Sequence, residues 1–310
     1  MRSRFPFLCG LECTANSIDT PFVICFTVRM QLSVTSDFFN SHDDPIPHLR
    51  AIRSAGFAFV HFCHEWDTDL VFGPDRIREI SNELVDLGLS VNNLHASEGK
   101  AASWGSTERV NRVKGVELVK NRMVMAAELG ADTIILHASA GRSHEAQRHS
   151  LGELLPTAEQ IGVRIALENL PGQGFSRALP LVREFDHTML GYCLDTGHAV
   201  LNDADGFNDL AEAEANPTKL YALHLQDNDG SGDQHRLPFT GTVPWKRVAS
   251  LIAGAPYAGC LTFEVMTKNE PYPDHASFLK EAFSRGRAFD ALVTEASLTT
   301  AAGGPQPSTG

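Results

Sequence analysis

No apolar run in this 310-residue chain approaches the roughly 18 to 20 residues needed to cross a bilayer, so a membrane partner is not expected. Fixed positive charge is scarce as well. Lys and Arg number 26 against 38 Asp and Glu, a formal net charge of -12. Non-specific binding of a phosphate-coated partner needs a broad basic footprint, which disfavours nucleic acid. The six cysteines (Cys9, Cys13, Cys25, Cys63, Cys193 and Cys260) contain no CxxC pair. Three of them, Cys63, Cys193 and Cys260, lie in or beside apolar strand-like runs and read as small buried hydrophobes. That usage fits a reducing, cytoplasmic setting better than a secreted disulfide framework. A Gly-rich phosphate loop is missing after the first strand-like run, which counts against an open dinucleotide-binding sheet.

What is present is the composition of an ordinary globular chain, 43% hydrophobic and 21% charged, at a length that suits one α/β barrel. Arg2 and Arg4 precede an apolar stretch, but Pro6 and Glu12 interrupt it. Residues 1–29 are therefore expected to form an extension outside the core, with the barrel over 30–296. The remainder, 297–310, is Gly/Pro/Ser/Thr-rich from Thr299 onward and is expected to be a disordered tail.

Eight strand-like runs follow one another: Gln31–Thr35, Phe57–Phe62, Ser90–Leu94, Thr133–Leu136, Arg164–Leu167, Leu190–Leu194, Leu220–Leu225 and Leu261–Val265. Amphipathic segments separate them. Arg76–Leu87 carries Ile77, Ile80, Leu84 and Leu87 on one face with Gly88 as a stop, and Glu108–Leu129 ends at Gly130. Pro74 and Pro244 stand where first helical turns would begin. Eight strands alternating with helices predict a parallel sheet closed into a single (β/α)8 TIM barrel.

The strands share an ending. The third stops at His95, the fourth at His137, the fifth at Glu168, the sixth at Asp195, the seventh at His224 and the eighth at Glu264. In a barrel all these ends converge on one mouth. Three carboxylates gathered there would repel one another and call for a cation, and histidines among them point to a divalent ion such as Mn, Mg, Co or Zn. His198 follows Asp195 by three residues, and Asp233, His235 and Arg236 sit in the long loop after the seventh strand. These, with His95 and His137, are candidates for substrate contact or additional metal. His61, His64 and Glu65, at the end of the second strand, are candidates to face the same mouth. His42, His144, His149, His187 and His275 read as surface residues. Trp66, Phe72 and Trp104 could either meet a sugar's apolar face or pack loops.

Ala166-Leu167-Glu168-Asn169, Leu194-Asp195-Thr196-Gly197-His198 and His224-Leu225-Gln226-Asp227-Asn228 resemble signatures of the xylose isomerase-like barrel superfamily. So do Asp233-Gln234-His235, followed by Gly241 and Trp245, and the strand-borne Glu264. The superfamily joins sugar isomerases and epimerases with the endonuclease IV group of AP endonucleases. By resemblance, an epimerase of this kind would hold one ion with Glu168, Asp195, His224 and Glu264. The two glutamates would exchange the substrate proton, with His198 and Arg236 touching substrate oxygens. An endonuclease IV-like zinc cluster would instead use His95, His137, Glu168, Asp195, His198, His224, Asp233, His235 and Glu264.

The favoured expectation is a metal-dependent sugar or sugar-phosphate isomerase or epimerase working through an enediolate, with Glu168 and Glu264 as the catalytic acids and bases. Its partner would be a small hydroxy-carbonyl substrate, and a homo-oligomer is compatible. No phosphate cradle is evident after the seventh or eighth strand, which favours a non-phosphorylated substrate. The alternatives are an AP-site phosphodiesterase with clustered zinc and a metal-assisted lyase on the same barrel. Against the first, Lys100 and Arg109 are the only basic residues near the loops after strands two and three.

Overall fold

In the computed structural model, residues 29–39, 43–99, 101–139, 141–202 and 207–302 are described. The elements run β1 (Leu32–Thr35), α1 (Pro45–Ser54), β2 (Phe59–Phe62), α2 (Pro74–Leu87), β3 (Ser90–His95), α3 (Arg109–Glu128), β4 (Thr133–His137) and α4 (His144–Ile161). They continue β5 (Arg164–Glu168), α5 (Ala178–Phe185), β6 (Leu190–Asp195), α6 (Thr196–Asn202), α7 (Phe207–Ala215), β7 (Leu220–His224), α8 (Trp245–Gly254), β8 (Leu261–Phe263) and α9 (His275–Ala302).

All paired strands are parallel, in the order β7-β6-β5-β4-β3-β2-β1-β8. The ring closes just past β7. Leu225 bridges Phe263, its N–H donating to Thr262 O at 2.8 Å and its carbonyl accepting from Glu264 N at 3.2 Å. Strands buried on both faces must be apolar nearly throughout, and Ile134, Leu167, Leu194, Leu223 and Phe263 are at most 1% exposed. Truncating one of these leucines to Ala would cost about 2–5 kcal/mol.

The helices begin and end on identifiable signals. Pro74 opens α2 and Gly88 caps it at φ 60°, a left-handed conformation that glycine adopts without steric cost. Ile77, Ile80 and Leu84 face inward, whereas Val113 and Val124 of α3 face solvent. Ser143 Oγ accepts from Ala146 N at the start of α4. Helix α9 runs on to Ala302, past Thr299, where the sequence pattern places the start of a tail. It also secures the opening of the barrel, because Met30 N donates to Asp290 Oδ1 at 2.9 Å.

The expected extension up to residue 28 and the last residues, 303–310, lie outside the described residues, as do His42 and Lys100. Cys63, Cys193 and Cys260 are buried and free, as their apolar surroundings suggest. Among the described residues, no helix is long and apolar enough to cross a membrane.

Candidate metal centre

Strand register decides which side chains meet. His137 stands beside Glu168 across β4 and β5, and Asp195 beside His224 across β6 and β7. At the centre, His224 Nδ1 lies 2.8 Å from Glu168 Oε1 and 3.1 Å from Glu264 Oε2. Asp195 joins through His198, whose Nδ1 is 3.7 Å from Asp195 Oδ1 and 3.6 Å from Glu168 Oε1. Asp195 and His224 are fully buried at the floor. Glu168 and Glu264 line the base of a cavity of about 360 Å³ above them, together with Trp66, His95, His137, His198, Asp233 and His235.

Two further groups flank this core. Glu168 Oε2 receives His137 Nε2 at 3.0 Å, with His95 Nε2 3.1 Å beyond it. Across the cavity, Asp233 Oδ2 lies 3.3 Å from His198 Nε2 and 3.2 Å from His235 Nε2. The sets His95–His137–Glu168 and His198–Asp233–His235 each bring their ligand atoms within 4.8 Å of one another. Three of the imidazoles are anchored from behind by backbone. The Nδ1–H of His95, His198 and His235 donates to Ala96 O (3.0 Å), Asn169 O (2.8 Å) and Glu264 O (2.9 Å). Each ring thereby presents Nε2 to the cavity, the arrangement in which a histidine serves as a ligand.

The charge balance fits a cation. Burial pushes Asp195 up to about 7, with Glu168, Glu264 and Asp233 adding and His198 opposing. Burial would depress the imidazoles too, yet Asp195 and Asp233 hold His198 up at about 10, and Asp233 and Glu264 hold His235 at about 9. His224 is raised well above its ordinary value because Glu264 and Glu168 outweigh its burial. Glu168 and Glu264 are lowered despite burial, chiefly by His224. Imidazole protons here balance the charge that a divalent ion would otherwise balance.

Residues that sequence reasoning did not single out hold these groups. Asn169 Oδ1 accepts from Asp195 N at 2.7 Å, and its Nδ2 donates to Asp195 O and to Asp209 Oδ2, both at 2.9 Å. Gln226 Nε2 donates to Asp233 Oδ1 at 2.9 Å and lies 3.4 Å from Asp195 Oδ2. Asp227 accepts from the N–H groups of Asn228, Thr240, Gly241 and Val243 and from Trp245 Nε1, folding the loop that carries Asp233 and His235. All three sit within the quoted motifs, and that adjacency is the one signal that marks them.

Other expectations need correction. The Arg236 guanidinium stands 4.0 Å from both Asp229 and Glu270 and does not line the cavity. Arg142, 3.4 Å from Glu98, does line the cavity. His64 turns to Asp43 O at 2.8 Å, and both His64 and Glu65 line a separate cavity beside Asp43, Phe72 and Arg76. His61 does reach the site, wholly buried, its ring 4.7 Å from that of His224. Of the three aromatics, only Trp66 lines the cavity, its ring 4.5 Å from that of His95. Phe72 packs under Arg122, and Trp104 is 1% exposed in the core. His149 is exposed, while His144, His187 and His275 are half-buried.

Residues 49–282 match the family model described as xylose isomerase-like TIM barrel. An uncharacterised protein of Sinorhizobium fredii is 28% identical over 257 residues, spanning 72% of this chain and 82% of that protein. Fructoselysine 3-epimerase of Escherichia coli O157:H7 is 30% identical over 200 residues, 57% of this chain and 67% of the epimerase. Among solved structures, a D-tagatose 3-epimerase-like protein shares the fold at a TM-score of 0.69, with 20% identity over 86% of this chain and 99% of its own. An L-ribulose 3-epimerase does so at 0.70, with 18% identity over 91% and 100%.

Proposed function

The chain belongs to the xylose isomerase-like TIM barrel family, and from that membership and its site we propose that it is a divalent-metal-dependent epimerase or isomerase of a small sugar. The observation that carries this reading is the meeting of Glu168 and Glu264 on one atom, His224 Nδ1, at the base of a sugar-sized cavity. The epimerase relative and the epimerase barrels support it.

Glu168, Asp195, His224 and Glu264 would hold the ion, which would polarise a substrate carbonyl and stabilise the negative charge left by proton loss. One of Glu168 or Glu264 takes the proton from the carbon beside the carbonyl, and the same group or the other returns it. Both carboxylates are held ionised near neutral pH, as a base must be. His95, His137, His198 and Trp66 line the cavity with the two glutamates, where they would meet the hydroxyls and the apolar face of a bound sugar. The test is incubation of metal-loaded protein with ketoses and chromatography of the products. Interconversion of a pair differing at one carbon next to the carbonyl is expected, and no conversion of any ketose offered counts against it.

A second reading rests on the two flanking ligand sets. Filled with zinc, they would make a three-ion centre suited to phosphodiester hydrolysis, in which the ions activate water and clamp the leaving oxygen. Against it, among the described residues Arg142 is the one Lys or Arg lining the cavity, where a DNA backbone would be expected to draw several. Three zinc ions per chain together with nicking of abasic duplex would favour this reading; one ion per chain and no nicking favour the epimerase.

A further inference from the structure

We propose that Arg122, a buried residue of α3 that does not line the cavity, is a positioning residue: it clamps the loop joining β2 to α2, fixes Trp66 at the cavity wall, and through Trp66 sets how tightly a sugar is held. The kinetic part of the inference rests on the epimerase reading above; the placement of Trp66 does not.

Arg122 is 1% exposed, on a stretch of helix where Val119, Met123 and Met125 are fully buried. An apolar side chain would fill such a place with no charge to desolvate. Burial lowers its pKa only to about 10, so the guanidinium stays charged at neutral pH. Its donors account for its presence. Nη2 donates to Glu65 O at 3.1 Å and Nη1 to Leu70 O at 3.3 Å, with Nη1 also 3.0 Å from Asn121 Oδ1. The Phe72 ring centroid lies 4.4 Å from the guanidinium carbon. Asn121 holds the far end of the loop, its Oδ1 accepting from Phe72 N and its Nδ2 donating to Phe72 O, both at 2.9 Å. Two adjacent residues of α3 therefore grip the loop at Glu65, Leu70 and Phe72.

The loop has need of the grip. Leu70 and Val71 are 44% and 60% exposed and lend it little burial of its own. Glu65 has φ 57°, a left-handed backbone that a residue other than glycine adopts at a cost, and its carbonyl is the one Arg122 Nη2 takes. Trp66 comes next in the chain. Its carbonyl accepts from Glu98 N at 2.8 Å, and its ring stands 4.5 Å from that of His95 and 5.1 Å from that of His137. Release of Glu65 from this conformation would swing the indole off the two imidazoles, so guanidinium and indole are linked through one residue of backbone.

The experiment compares wild type, Arg122→Met, Arg122→Lys, Trp66→Ala and the double variant Arg122→Met with Trp66→Ala. Each is read by acrylamide quenching of tryptophan fluorescence without metal, by melting curves, and by KM and kcat with D-fructose, D-tagatose and L-ribulose. Trp104 and Trp245 are 1% and 6% exposed, so the quenchable emission belongs to Trp66, and Trp66→Ala removes it. Expected in Arg122→Met are steeper quenching and a KM about 10-fold higher with kcat near that of wild type. Arg122→Lys recovers part of both, because its ammonium can still donate to the loop carbonyls. Added to Trp66→Ala, Arg122→Met raises KM no further. Should Arg122→Met not fold, Arg122→Lys takes its place in both backgrounds and the same comparison decides. Wild-type quenching in a folded Arg122→Met, an equal rise in KM with and without Trp66, or a fall in kcat matching the rise in KM overturns the proposal. Turnover of none of the three sugars by wild type counts against the epimerase reading, and quenching then decides the clamp alone.

Discussion

His198 Nδ1–H donates to the backbone carbonyl of Asn169 at 2.8 Å, while the side chain of the same Asn169 grips Asp195 by both its N–H and its C=O. One residue thereby orients a candidate ligand and the imidazole beside it. Asn169→Ala is expected to lower turnover by about 10–100-fold and to destabilise the fold by about 1–3 kcal/mol through unpaired buried groups. Steady-state kinetics and urea melts read the two effects. Unchanged turnover with lowered stability would make Asn169 a packing residue only.

Glu168→Gln and Glu264→Gln keep the shape of each side chain and remove its basicity. Each is expected to reduce turnover by at least about 100-fold while the protein remains folded. Circular dichroism beside the activity assay separates chemistry from folding. Near-normal activity in either variant removes that glutamate from proton transfer.

Gly197 owes its identity to close approach. A Cβ there would lie 2.2 Å from Gln226 Oε1 and 2.3 Å from its Cδ. Gly197→Ala must displace the amide that holds Asp233, at a cost of about 1–3 kcal/mol. Melting temperature and turnover should both fall. Adding Gln226→Ala should restore the melting temperature but not turnover, and restoration of both would show that Gln226 does not position Asp233.

Much of this fold was legible because parallel strands buried on two faces read as apolar runs, and their C-terminal ends show as abrupt polar residues. His95, His137, Glu168, His224 and Glu264 stood out on that ground and stand in contact with one another, with Asp195 reaching Glu168 by way of His198. The direction of a loop side chain has no such mark. Arg236 follows two residues of the centre in sequence yet points to Asp229 and Glu270, because the Asp227–Arg236 bridge turns the chain there. Asn169, Gln226 and Asp227 stand inside the quoted motifs without a role of their own, and only their hydrogen bonds show them as supports. The register shift between Val60 and His61 in the β2–β3 ladder is a feature of backbone pairing, which no single residue announces.

Acid should weaken the fold partly through His64. Burial first, and then neighbouring His48, lower its pKa from 6.5, against the opposing pull of Asp43. The unfolded chain therefore takes up a proton that the folded one resists, so this contribution is complete above pH 6.5 and is lost as pH falls below it. Urea midpoints between pH 7.5 and 5 should decline less steeply in His64→Gln than in wild type. Equal slopes would remove His64 from the acid response.

Proton exchange from solvent tests the proposed chemistry most directly. Metal-loaded protein is incubated with ketoses in D2O, with and without chelator, and the recovered sugars are read by mass and NMR. Deuterium at the carbon next to the carbonyl, lost on chelation, is the expected result. Exchange that persists without metal, or conversion without exchange, would contradict metal-assisted proton transfer by Glu168 and Glu264.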